Sequence, residues 1–305
     1  MSALWATLSG PTKSAAFRSV DGGEHWEKVL YVDERHGVSD LAIDTKNPNI
    51  IFAAFWHFER KPWTLESGSE EGGVYKSVDG GSTWKKLENG LPELVGRIGV
   101  RVAPSAPNVV YVIAESKEGT LFRSDDHGKS FTKVSDAIDV VSRGFYFADL
   151  RIDPTNENRL YALAGALRVS IDGGKSFERI SGSMHSDYHG LWIDPEDPYR
   201  MWQTQDGGIG VTYSRGESWE YVDVLPISQY YAIFVDNREP FYYTGGGMQD
   251  NATWIGPSRN GEPFGILDAD WREVSKRRRL SGSRSSGRAR HHAERVSRRA
   301  NRAHQ

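Results

Sequence analysis

The residues whose types and spacing best suit chemistry are His185-x-Asp187-x-His189. On an extended strand, alternate side chains share a face, so this run would present two imidazoles and a carboxylate together. Such a set can hold a divalent ion through nitrogen and oxygen, but one strand rarely supplies three good ligands. A hydrogen-bonded polar ring is the simpler expectation, and no metal or cofactor is assigned. Asp149, Asp187 and Asp250 offer a second chemistry. Two carboxylates about 5 to 9 Å apart can act as acid and base, or acid and nucleophile, on a glycosidic bond. Arg97, Arg143, Tyr146, Tyr188, Asp206 and Gln249 add cations, rings and turn-borne polar groups that could fix a ligand. The chain has no Cys, which excludes a thiol nucleophile, a disulfide framework and thiolate-held metals.

These residues must be positioned by a repeat. Ser19-Val-Asp21-Gly-Gly-Glu-His-Trp26 recurs as Ser77-Val-Asp79-Gly-Gly-Ser-Thr-Trp84, Ser124-Asp-Asp126-His-Gly-Lys-Ser-Phe131 and Ser170-Ile-Asp172-Gly-Gly-Lys-Ser-Phe177. A decayed fifth copy reads Thr212-Tyr-Ser214-Arg-Gly-Glu-Ser-Trp219. The third positions lie 58, 47, 46 and 42 residues apart, the length of one four-stranded propeller blade. Between the copies runs a second repeat of alternating apolar strands that end in Asp or Asp-Pro, such as Leu150-Arg-Ile-Asp153-Pro154 and Leu191-Trp-Ile-Asp194-Pro195.

Each first-type copy reads as a hairpin: Gly supplies a positive φ and the Asp carboxylate accepts hydrogen bonds from turn amides. The aromatic that follows can fill the wedge between blades. The prediction is an all-β propeller of four-stranded antiparallel blades, about five to six of them and incomplete, over residues 1–274. A partial blade spans 1–32, and complete ones lie near 37–88, 95–135, 143–182 and 187–223. A last blade, also partial, starts at Ser228 and never reaches such a hairpin. Loops entering the inner strands build the ligand face of a propeller, which is where Arg97, Arg143, Tyr146, His185, Asp187 and His189 fall. Trp56, Trp63, Tyr146, Tyr188 and Tyr230 are the aromatics that could stack there.

The four good copies resemble the signature of the BNR, or Asp-box, propeller superfamily. In it the box sits on the outer hairpin of each blade, which implies turn-stabilising rather than catalytic roles for Asp21, Asp79, Asp126 and Asp172. The run from His185 through Gln205-Asp-Gly-Gly208, Gln229-Tyr-Tyr231 and Gln249-Asp-Asn251 to Trp254-Ile-Gly-Pro-Ser258 is similar to a bacterial group described as "glycosyl hydrolase, BNR repeat" or sortilin-like. Arg60-Lys-Pro-Trp63 belongs to the same likeness. The resemblance implies an extracytoplasmic protein with a glycan or peptide ligand, although residues 1–15 lack the basic and apolar pattern of a signal peptide. Sialidases of the superfamily carry a Phe/Tyr-Arg-Ile-Pro element, of which Gly96-Arg-Ile-Gly99 is only a faint echo. Two-propeller xyloglucan hydrolases of the superfamily draw their carboxylate pair from two propellers, and one incomplete propeller would not supply both.

Charge separates the body from the end. Residues 276–305 hold eleven Arg and Lys against one acid, whereas residues 1–275 hold 27 basic against 40 acidic groups. The acidic body is a poor partner for nucleic acid, and the segment 275–305 reads as a basic disordered tail. Its Arg/Ser/Gly/Ala/His mixture also fits out-of-frame translation of a GC-rich region. No stretch reaches the ~20 apolar residues of a membrane span. The sequence therefore predicts a propeller that binds a glycan or peptide without catalysis, with a glycoside hydrolase, or the remnant of one, as the alternative.

Overall fold

The computed structural model describes residues 4–8, 15–146, 148–222 and 228–275, with 4–8 and 275 described by backbone. The predicted basic tail lies, from residue 276 on, outside the described residues. The chain forms two compact units, residues 1–223 and 224–305.

The first unit is a succession of antiparallel meanders. Its opening sheet has three strands, β1 (Leu4–Leu8), β2 (Ala15–Ser19) and β3 (Glu27–Leu30), the partial blade expected from the sequence. The next is β4 (His36–Ile43), β5 (Ile51–Lys61), β7 (Gly73–Ser77) and β8 (Lys85–Leu87), with β6 (Thr64–Ser67) paired to the far end of β5. Then come β9 (Ile98–Val102), β10 (Val110–Ala114), β11 (Leu121–Ser124) and β12 (Thr132–Ser135). The fourth sheet is β13 (Asp149–Asp153), β14 (Asn156–Leu163), β15 (Leu167–Ser170) and β16 (Glu178–Arg179). The fifth is β17 (Tyr188–Ile193), β18 (Met201–Gln205), β19 (Gly208–Thr212) and β20 (Glu220–Tyr221). The second unit holds one more four-stranded meander, β21 (Tyr230–Val235), β22 (Tyr243–Met248), β23 (Thr253–Pro257) and β24 (Arg272–Ser275). The sequence predicts only a partial blade here, but Arg272–Ser275 pairs with β23 and completes four strands without any Asp-Gly-Gly hairpin.

The core lies between successive sheets rather than within any one. β10 reads Val-Tyr-Val-Ile-Ala without polar alternation because both of its faces are covered. Val110, Val112 and Ala114 pack towards Phe52, Ala54 and Val74 of the preceding sheet. Tyr111 and Ile113 point the other way, onto Leu150, Leu160 and Ala162 of the following one. A third cluster joins Tyr161, Leu163 and Leu167 to Tyr188, Leu191 and Met201. Each fully buried Val, Ile or Leu contributes about 1.5–3 kcal/mol of burial free energy, so the sheets are held mainly by neighbours.

The Ser-x-Asp-x-Gly copies form the same turn each time. In the second, the Ser77 hydroxyl donates to Asp79 Oδ1 (2.8 Å) and accepts the Gly81 amide (2.8 Å), while Asp79 accepts the Thr83 amide (2.8 Å) and hydroxyl (2.6 Å). The two central residues of the turn adopt positive φ, as at Gly80 and Gly81, so Gly is preferred there; His127 takes the same conformation in the third copy and Arg215 in the fifth. In the decayed copy Ser214 stands in for the carboxylate and accepts the Ser218 amide at 3.0 Å. The following aromatics plug the gaps between sheets: Phe131 in the first core cluster, Phe177 against the second and Trp219 against the third. The strand-ending Asp residues cap their own turns from buried positions, as where Asp44 Oδ1 accepts the Lys46 and Asn47 amides.

Candidate functional site

The long strand β5 carries part of an aromatic cluster in the first unit. Its first seven residues are buried, and it then runs on to pair with β6. Trp56 and Phe58 lie two residues apart on one face and stack at 4.6 Å between centroids. Phe145, from the loop before β13, stands edge-on to both, at 6.0 Å from Trp56 and 5.7 Å from Phe58. Tyr146 packs edge-on to Phe145 at 5.4 Å. Phe58 is 46% and Tyr146 49% exposed, so the cluster presents ring surface outward.

The cluster has a polar brace. The Trp56 indole N–H donates to Ser67 Oγ on β6 (3.0 Å), and Ser67 donates to Glu115 Oε2 (2.7 Å). The same carboxylate oxygen accepts the Arg97 amide (3.1 Å). The Arg97 guanidinium lies 5.3 Å from the Trp56 ring centroid and donates to the Tyr146 carbonyl (3.3 Å). Burial draws the Arg97 pKa below its ordinary value, against the pull of Asp149, Asp40 and Glu115. The cation is thus fixed beside the rings by contacts that leave it part-exposed.

The catalytic candidates are held differently. Asp149 accepts from Arg101 Nη2 (2.7 Å), pairs with Arg151 Nη1 (2.5 Å) and takes the Leu150 amide (2.7 Å). Two guanidiniums and an amide thus occupy this carboxylate. Asp187 has a φ of +68° and pairs at 3.4 Å with Arg143, whose side chain is 51% exposed. Asp250, with a φ of +58°, belongs to the hairpin turn of the second unit, where the Gln249 carbonyl accepts the Asn251 amide (2.7 Å).

The His185, Asp187 and His189 side chains go to separate partners. Asp187 precedes β17 in a left-handed conformation, and the strand bulges between Tyr188 and Gly190, which breaks the strict alternation that would align the three. His185 Nδ1 contacts the Ser186 carbonyl (3.0 Å), and His189 Nε2 pairs with Asp206 Oδ1 (2.8 Å). Asp206 sits in the β18–β19 turn, where Gln205 Oε1 accepts the Gly207 amide (2.5 Å) and the Tyr221 hydroxyl donates to the Gly207 carbonyl (2.6 Å). Tyr188, expected at a ligand surface, is 1% exposed and lies in the third core cluster. Its burial raises the phenol's pKa. Trp63 is 79% exposed on the turn between β5 and β6.

Phe58, Phe145, Asp40 and Arg101 are not among the site residues expected from the sequence. The two Phe residues carry a weak signal, since Phe58 follows Trp56 at strand spacing and Phe145 adjoins Tyr146. Asp40 and Arg101 meet only through the packing of β4 against β9.

No protein-family model matches the chain. A probable oligoxyloglucan-reducing end-specific xyloglucanase of Neosartorya fischeri is 24% identical over 196 residues, 58% of this chain and 23% of the relative. A xyloglucanase of a Paenibacillus species is 26% identical over 263 residues, 82% of this chain and 23% of the relative. The chain thus spans about a quarter of the length of the curated relatives it matches. Among solved structures, the GH74 xyloglucanase of Xanthomonas campestris aligns with a TM-score of 0.54 at 17% identity, covering 83% of this chain and 42% of that one. An ancestral GH74 enzyme aligns with a TM-score of 0.51 at 17% identity, covering 88% of this chain and 37% of that one. These likenesses make the fold a β-propeller, of which the chain covers part. Among the described residues no helix is long and apolar enough to cross a membrane.

Proposed function

We propose that this chain binds a glycan of the xyloglucan type on the aromatic surface formed by Trp56, Phe58, Phe145 and Tyr146. The observation that carries the reading is that surface itself: stacked and edge-on rings, two of them about half exposed, with a fixed guanidinium alongside. Sugar rings present apolar C–H faces that can cover aromatic area and equatorial hydroxyls that can bond to Arg97 or Arg143. The xyloglucanase relatives support the choice of glycan.

Glycoside hydrolysis is the second reading, favoured by the same relatives. The ion pairing of Asp149 with Arg101 and Arg151, and of Asp187 with Arg143, weighs against an acid and base drawn from these two groups. Binding is tested by affinity electrophoresis and calorimetry with xyloglucan, cello-oligosaccharides and an unrelated α-glucan. Retardation by xyloglucan alone supports the reading, and indifference to all three overturns it. Release of reducing ends from xyloglucan, lost in Asp149→Asn or Asp187→Asn, would move the chain to the enzyme class.

A further inference from the structure

A second constellation, next to the Ser67 brace of the aromatic surface, lies where the turn after β3, the start of β4 and the loop after β6 meet. His36 Nδ1 is 2.7 Å from Asp33 Oδ1, and His36 Nε2 is 2.5 Å from Ser69 Oγ. Asp33 Oδ1 also accepts the backbone amides of Arg35 (2.7 Å) and His36 (3.0 Å). An ionised carboxylate can only accept, so the proton between Asp33 and His36 sits on Nδ1, and Nε2 is left to accept the Ser69 hydroxyl. All three residues line one cleft of about 520 Å³, together with Arg35 and His57. His36 is 3% exposed, so its ring is fixed; Ser69 is half-buried and borders the open space.

The backbone around Ser69 is held as firmly as the ring. Gly68 has a φ of +98°, and a Cβ there would stand 2.8 Å from the Val95 carbonyl oxygen. The Ser69 amide donates to that same carbonyl at 3.2 Å, and its hydroxyl oxygen accepts the Gly72 amide at 3.1 Å. The nucleophile, its base and the group that orients the base are therefore all in place. Arg35 adds a cation to the cleft, with Nη2 3.3 Å from His57 Nε2.

We propose that Ser69, His36 and Asp33 form a nucleophilic triad that hydrolyses short-chain carboxylic esters in this cleft. Ser69 Oγ attacks the ester carbonyl carbon as its proton passes to His36 Nε2. The Arg35 guanidinium stabilises the negative charge that develops on the carbonyl oxygen. The tetrahedral adduct collapses with cleavage of the C–O bond, and the departing alcohol takes the proton from His36. Water then adds to the acyl-Ser69 carbonyl, gives a proton to His36, and the acid leaves as that proton returns to Ser69. The step is hydrolytic and needs no oxidant or metal. It stands apart from glycan binding, because a simple ester suffices as substrate.

The test uses the full chain with a fluorophosphonate probe and with p-nitrophenyl acetate. The probe should lose fluoride and label Ser69, as located by peptide mass mapping. Ester turnover above buffer should fall at least about tenfold in Ser69→Ala. Asp33→Asn keeps the shape but no longer holds the tautomer, and should slow labelling about a hundredfold with an altered pH profile. Should Ser69→Ala fail to fold, because Gly72 loses its acceptor, labelling of the unaltered chain decides alone. An unlabelled Ser69 in a folded chain, or turnover that persists in a folded Ser69→Ala, overturns the proposal and leaves the three residues as a brace for the loop.

Discussion

Arg101 Nη2 lies 2.7 Å from Asp149 Oδ1 on the next sheet, while Nη1 of the same guanidinium grips Asp40 on the sheet before. One side chain thus ties three consecutive inner strands, β4, β9 and β13, and its Nε adds a bond to the Leu150 carbonyl (2.9 Å). Arg151 repeats the device one sheet on, with Nε 3.2 Å from the Leu191 carbonyl. The three charged side chains are only 16–22% exposed. Removing the cation leaves the partly buried Asp40 without its guanidinium and Asp149 with Arg151 alone, at a cost of about 3 kcal/mol. Arg101→Met should therefore lower the thermal midpoint of the chain by about 6–12 °C. An unchanged midpoint would show that the chain of ion pairs is incidental to stability.

The fold was legible because its signals are local and repeated. Five copies at blade spacing, each with Gly at one or both of the positions needing positive φ, announce hairpins independently of what packs on them. The continuous apolar run of β10 likewise betrays a strand covered on both sides. The candidate site was less legible, because it depends on which loops converge. Phe145 and Phe58 are 87 positions apart, and only the packing of their sheets brings the rings to 5.7 Å. The spacing of His185, Asp187 and His189 misled for a physical reason. Alternation holds only on regular strand, and here a left-handed residue and a bulge intervene.

The hairpin carboxylates make stability depend on acid in a definite window. Hydrogen bonds from the Thr83 hydroxyl and amide and the Ser77 hydroxyl bring the Asp79 pKa down to about 2. Asp21 also falls to about 2, chiefly through the His25 amide, and Asp126 is lowered further by the Ser124 and Ser130 hydroxyls. Asp172 reaches about 2 although burial opposes the bonds from Ser176 and Ser170. A folded-state pKa below the unfolded value of about 3.9 stabilises the fold above that value and loses the gain as pH falls towards 2. The difference in thermal midpoint between the unaltered chain and Asp79→Asn should be full at pH 7 and shrink between about pH 4 and pH 2. A difference that stays constant across that window would contradict the assignment.

Two glycines with nearly the same backbone angle separate strain from collision. Gly22 has a φ of +81° and a Cβ there would meet nothing within 4 Å. Gly90 has a φ of +82°, but its Cβ would lie 1.9 Å from the Phe131 carbonyl oxygen. Gly22→Ala should cost about 1 kcal/mol, the price of a left-handed non-glycine residue. Gly90→Ala adds displacement of the segment whose Phe131 amide donates to the Asn89 carbonyl (2.9 Å), and should cost about 3 kcal/mol or more. Denaturant midpoints at constant slope would measure both, and equal losses would refute the steric part of the argument.

The aromatic surface predicts a division of labour among its rings. Phe58 and Tyr146 are about half exposed, so truncating either removes ring face that a sugar would cover while leaving the core intact. At ~25 cal/mol per Å², losing about 60 Å² of covered apolar area costs about 1.5 kcal/mol, or roughly tenfold in affinity. Phe58→Ala and Tyr146→Ala should each weaken xyloglucan binding by that factor with thermal midpoints within about 2 °C of the unaltered chain. Trp56 is 5% exposed and is tied to Ser67, so Trp56→Ala should cost about 3–5 kcal/mol of stability as well as affinity. Calorimetry with xyloglucan oligosaccharides and thermal melts on the three variants separate the two effects. Full affinity in the Phe58→Ala and Tyr146→Ala variants would place any glycan elsewhere on the chain.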